Sequence, residues 1–119
     1  IAQAWDIPIT ILPVSNDSIA TLVTTEHGDE IGFQDYFVRL SHNVIVKDIR
    51  FSGITNAKPA DGVIEKIKEA SSIIIAPSNP IVSIGPILEV PEVRETLKSR
   101  REDVTAVLLR ILLEEKEQR

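Results

Sequence analysis

The sequence predicts an α/β domain, and three observations carry that expectation. A helical pattern, "PADGVIEKIKEAS", runs straight into the apolar stretch "SIIIAPS". A run rich in β-branched residues, "IATLVTT", meets the turn-forming "EHGDE". The 119 residues suffice for one hydrophobic core and are short for two, so one domain is expected.

Taken in order, "WDIPITILPVS" reads as a strand entering a turn, with Pro8 and Pro13 bracketing Ile9, Ile11 and Leu12. A proline cannot donate to a ladder, so Pro13 belongs at a strand end or an edge. "SNDS" follows with short polar side chains that bond their own backbone in turns. A hairpin is expected next. Its first strand carries Thr21, Val23 and Thr25 on one parity, and Gly28 is free to take positive φ in the turn. The return strand is expected over residues 31–38, with Ile31, Phe33, Asp35 and Phe37 on one face. "NVIVKDIRFSG" is a third strand, ended by Gly53.

In residues 59–71, Val63, Ile64, Ile67 and Ala70 form an apolar stripe opposite Glu65, Lys66, Lys68 and Glu69. Asp61 is the expected N-cap. The strand after this helix is apolar throughout, as strands buried on both faces are. "VPEVRETLKSR" predicts another short helix, with Pro91 in its first turn and Lys98 and Arg100 near its end. In the tail, Val104, Val107, Leu108, Ile111 and Leu112 keep helical spacing, so an amphipathic C-terminal helix is expected, although "VTAVLL" alone also fits a strand.

Composition excludes several classes. A net charge of −5 argues against a nucleic-acid surface, which needs clustered Lys and Arg. There is no Cys, hence no disulfide, thiolate nucleophile or Cys-ligated metal. The two histidines are far apart in sequence, which disfavours a His-based zinc site. No apolar run approaches a membrane span, and a reducing, cytoplasmic setting fits. The chain starts with Ile and has no Met, so a piece of a longer or engineered chain is expected.

The strongest candidate for chemistry is the loop after Ile75. Ligands of open α/β sheets bind beyond the carboxyl ends of the strands. Ser78 and Asn79 sit at such an end and can bind a phosphate or a polar ring edge. The bland alternative is that they cap a short helix, the commoner role of these residue types. In "FQDYFVRL", Tyr36 can stack on a ring and Arg39 can grip a phosphate or carboxylate, or the segment is an ordinary half-wet hairpin. Glu26, Asp29 and Glu30 lack the ligand order of a calcium loop. His27 and His42 read as surface residues, and Asp17 and Asp35 as weak acid–base candidates. No Gly-rich phosphate loop is present.

"ILPVSND", "GFQDYFVR", "KPADGVIEKIKEA" and "IIIAPSNPIVSIGPILEVPEVRETL" resemble, in that order, the later half of the 2-phospho-L-lactate transferase family, over about residues 1–107. The resemblance implies a partial Rossmann-like sheet with a β-hairpin excursion. It also implies transfer of a phospholactyl-type group from a guanosine diphosphate-linked donor to a deazaflavin, in biosynthesis of coenzyme F-420. Magnesium and a dimeric assembly come with it. Ser78, Asn79, Tyr36 and Arg39 match binding segments of that family. The family's "GGTGG"-like loop and metal-holding acids have no counterpart here, and residues 108–119 diverge into a charged tail. The expectation is therefore a transferase fragment that binds no magnesium by itself. The alternative is a non-catalytic module that self-associates through an exposed strand edge and apolar faces.

Overall fold

The computed structural model describes residues 4–39 and 44–106. Alternating β-branched residues build strand β1 (Ala20–Thr25), which turns through residues 26–29 into the short β2 (Glu30–Gly32). The turn closes through Gly28 N donating to Thr25 O at 3.0 Å, with Gly28 at φ 85°. Strand β3 (Val46–Ser52) pairs antiparallel with the other edge of β1, giving the order β2-β1-β3. The pairing slips by one residue at Thr24/Thr25, where Lys47 is the extra residue of a bulge. The predicted parity holds: Val23 is 1% exposed and Thr25 is buried.

The return strand expected over residues 31–38 is corrected. Pairing stops at Gly32, and Phe33–Arg39 form helix α1. Phe, Tyr and Val favour strands, but Phe33, Tyr36 and Phe37 also share one helix face at spacings of three and four. Their rings cluster there, with Phe33–Tyr36 and Phe33–Phe37 centroids 6.4 and 5.9 Å apart. Strand alternation would have split Tyr36 from the two phenylalanines.

Helix α2 (Val63–Glu69) forms as expected, but Asp61 does not cap it. Gly62 takes the N-cap position at φ 90°, a left-handed backbone that suits glycine. Strand β4 (Ile73–Ile75) follows. A five-residue π-helical turn (Pro80–Ile84), helix α3 (Gly85–Glu89) and helix α4 (Val93–Ser99) then lead to strand β5 (Val104–Ala106). Pro91 lies outside α4, because Glu92 at φ 72° separates it from the first helical turn. Strands β4 and β5 pair in parallel, Ile73 opposite Val104.

Three further corrections follow. Residues 104–106 are a strand, not the start of a helix; β-branched Val104 and Thr105 pair with β4, and that backbone pairing outweighs the helical spacing. The rest of the expected tail helix lies outside the described residues. The segment 7–14 bends at Pro8, Ile9 and Val14 and joins no ladder among the described residues, since its two prolines remove donors; an isolated bridge joins Ser15 to Pro59. Strand β4 is not buried on both faces, for Ile74 is 71% exposed.

The best-buried apolar residues are Val23 in the antiparallel sheet, and Ala57, Ala60, Val90 and Val93 around the helices. The two parts touch where Phe51 of β3 meets Gly85 of α3: a Cβ at Gly85 would lie 3.6 Å from the Phe51 ring. The mixed α/β class is thus observed, with two small sheets.

Candidate functional site

The loop leaving β4 is shaped by one side chain. Asn79 Oδ1 accepts from Ile81 N at 2.9 Å and from Val82 N at 3.0 Å. Its backbone carbonyl accepts from Ser83 N at 3.1 Å and Ile84 N at 3.0 Å. Proline at position 80 has no N–H to satisfy, so it opens the turn without loss. The capping role of Asn79 is therefore observed directly. It also limits the anion-cradle idea, because the N–H groups of Ile81 and Val82 are already engaged. The side-chain amide Nδ2 of Asn79, with two donors, is not used by the cap.

Ser78 lies on the wall of an open groove of about 790 Å³. The groove runs along β4 between the irregular segment near Leu12, helix α2 and helices α3 and α4. Its lining is mostly apolar; the polar members are Thr10, Lys66, Ser78 and Ser83. An apolar cleft with a few convergent polar groups is the usual form of a small-molecule site. Lys66 supplies the one positive charge of that lining. The sequence reading put Lys66 on the wet face of α2, yet it follows Val63 by three residues and so borders the apolar stripe. That spacing was the signal for it. Ser83 gave no comparable signal.

Tyr36 and Arg39 lie on α1, not on a strand, and Tyr36 stands outside the groove. The structure therefore joins Ser78 to Lys66 and Ser83, and keeps the α1 pair as a separate element. A second depression, of about 640 Å³, is lined by Lys58 and Lys68 but also by Asp61, Glu65 and Glu92. Its mixed charges give no field that selects an anion.

The lesser candidates take structural places. Asp17 accepts from Lys58 N at 2.7 Å, and Ser15 Oγ donates to Lys58 O at 2.5 Å, tying the early turn to the segment before α2. Glu30 is held by Arg50 through two contacts of 2.6 and 2.7 Å. That guanidinium keeps the Glu30 carboxyl below its ordinary value. His27 is exposed on the hairpin turn, 3.7 Å from Glu26. Asp35 sits in the first turn of α1. His42 lies outside the described residues. Among the described residues, no three His, Asp or Glu side chains are placed to hold a metal ion.

With this geometry in place, residues 1–114 match the family described as 2-phospho-L-lactate transferase CofD. The chain belongs to that family. It is 39% identical over 101 residues to the 2-phospho-L-lactate transferase of Methanococcus vannielii, covering 82% of this chain and 32% of that protein. It is 46% identical over 96 residues to the phosphoenolpyruvate transferase of Kitasatospora aureofaciens, covering 78% and 30%. Among solved structures, a Bacillus halodurans protein of the UPF0052 family aligns with a TM-score of 0.63 at 25% identity, over 82% of this chain and 30% of that one. The chain thus spans about a third of the length of the curated CofD relatives it matches. Among the described residues, no helix is long and apolar enough to cross a membrane.

Proposed function

We propose that the chain is the acceptor-side part of a CofD transferase. In this reading the enzyme moves a 2-phospholactyl or related three-carbon group from a guanosine diphosphate-linked donor to a deazaflavin hydroxyl, in coenzyme F-420 biosynthesis. The acceptor oxygen forms the new bond to phosphorus, its proton is released, and GMP leaves. The observation that carries the reading is the placement of Ser78, on the "PSNP" stretch, in the lining of the groove that also includes Lys66.

Each group has a part. The Ser78 hydroxyl and Asn79 Nδ2 donate to phosphoryl or ring oxygens, and Lys66 adds a positive charge. Tyr36 offers a ring face and Arg39 a two-pronged donor from α1. Magnesium would be held by family acids outside the matched stretch, and there it would offset charge on the transferring phosphoryl group. The Rossmann-like sheet is completed there as well. The full enzyme works in the cytoplasm as a homo-oligomer. Exposed Trp5 and Ile9 are consistent with such contacts, and the net charge of −5 with no nucleic-acid partner.

Fluorescence titration of the chain with the deazaflavin acceptor tests this. Saturable quenching is expected at micromolar acceptor. No change up to high micromolar concentration removes the acceptor site. Asn79→Asp sharpens the test: a carboxylate still caps the turn, but it removes the Nδ2 donors and adds a negative charge. Binding should weaken by roughly tenfold with the denaturation midpoint unchanged. If binding is unaffected, Asn79 is a cap and nothing more.

A further inference from the structure

The chain holds one Asp-Gly pair, Asp61-Gly62, and Asp61 is exposed in the turn before α2. Gly62 stands at φ 90°, and Val63 N donates to Ala60 O at 3.1 Å across the turn. These are the marks of a type II turn with Asp61 and Gly62 at its centre. Both ends of the turn are tied down. Ala60 N donates to Val14 O at 2.9 Å, and Gly62 O accepts from Lys66 N at 2.9 Å. The peptide unit between Asp61 and Gly62 is not tied. Among the described residues, neither Asp61 O nor Gly62 N makes a hydrogen bond, and the Asp61 carboxyl has no hydrogen bond or ion pair. Gly62 has no Cβ to oppose either sign of φ, so this one peptide plane can rotate while both anchors hold. Other aspartates lack that combination. Asp17 precedes the small Ser18, but its carboxylate accepts from Lys58 N at 2.7 Å. Asp103 is held by Arg100 at 3.2 Å and precedes the β-branched Val104. Asp48 precedes Ile49 inside β3.

We propose that Asp61 is a site of spontaneous rearrangement to β-linked isoaspartate in the folded chain. Rotation of the untied peptide plane carries Gly62 N towards Asp61 Cγ. The nitrogen forms a bond to that carbon, the Cγ–OH bond breaks, and the amide hydrogen leaves with the hydroxyl as water. The product is a succinimide ring. Water then adds to one of its two carbonyls. Attack at Cγ restores aspartate. Attack at the main-chain carbonyl breaks the old peptide bond, so the chain runs through the side-chain carbon and a free α-carboxylate is left. Water is the only co-reactant. The lengthened backbone lies on the rim of the second depression, which Asp61 and Gly62 both line. The inference is independent of the transferase reading, because it uses no residue of the groove along β4.

The whole chain is warmed in mildly acidic buffer, with and without denaturing guanidinium chloride. Residue 61 is followed by electron-transfer fragmentation of the tryptic peptide 51–66. An isoaspartate-directed carboxyl methyltransferase with labelled S-adenosylmethionine gives an independent count of the sites. Conversion at Asp61 in the folded chain should proceed within roughly tenfold of its rate in denaturant, since no structure has to open first. Conversion at Asp17 should be measurable only in denaturant. A larger gap at Asp61 overturns the proposal, because the turn is then locked. So does a folded-state rate at Asp61 no faster than at Asp17. Asp61→Glu keeps the charge but removes the easily formed ring. It should abolish the methyl-accepting signal of the folded chain with the denaturation midpoint unchanged. A signal of undiminished size in that folded variant places the rearrangement elsewhere and overturns the assignment.

Discussion

Gly53 ends β3 at φ 83°, and a Cβ there would collide with the carbonyl oxygen of Ser18. Backbone strain and steric clash act together, and neither the carbonyl nor the strand end can yield cheaply. Gly53→Ala should therefore lower stability by about 2 kcal/mol or more, read from the urea midpoint. Glu30 and Arg50 form a different kind of contact. They reach across the middle strand β1 from β2 and β3, in a bidentate pair at the surface. The folded-state carboxyl value lies below the unfolded one, chiefly through the hydrogen bonds from Arg50. The stabilisation is therefore present above the ordinary glutamate range and is lost as pH falls through the lowered folded value. The stability gap between the native chain and Glu30→Gln should be small at neutral pH and close in acid. A gap that widens in acid contradicts the pairing.

Among the elements, α2, α4 and β5 are held in relation by one side chain. Arg100, at the end of α4, donates to Ile67 O at 2.8 Å, Lys68 O at 2.6 Å and Ala70 O, the unpaired carbonyls at the end of α2. It also meets Asp103, just before β5, at 3.2 Å. The positive charge lies at the negative end of the α2 dipole. Its side chain is only 19% exposed, and truncation leaves the part-buried carbonyls of Ile67 and Ala70 without this donor. Arg100→Ala should cost roughly 2–4 kcal/mol, and Arg100→Lys should recover only part of it, because an ammonium cannot span the fork. Both are measured by chemical denaturation. Equal stability of the three proteins contradicts the clamp. The reading of residues 31–38 failed at this same scale. Aromatic and β-branched residues satisfy both periods over so short a run, and only the clustering of Phe33, Tyr36 and Phe37 on one face decides for the helix. Asp61 shows a related limit: a capping residue type was present, but a left-handed Gly62 moved the helix start past it.

At the scale of the molecule, the groove along β4 brings together Thr10, Lys66, Ser78 and Ser83 from three separate stretches of sequence. Local pattern was enough for the first strand of the hairpin, β3, α2 and the β4 strand, because their periodicity and turn residues agree with their final places. The "PSNP" stretch was enough to mark a loop worth attention and to carry the family resemblance. The partners of that loop were not legible. Contacts such as Arg100 with α2, or the shared groove lined by both Lys66 and Ser78, join residues apart in sequence, and no short window records them. The same holds for residues 104–106. By itself "VTA" is compatible with either helix or strand, and pairing with β4 through a ladder of backbone hydrogen bonds settled it. Periodicity and turn chemistry determined which elements this chain forms; packing between distant segments decided which side chains meet, and so where the groove and its polar groups lie.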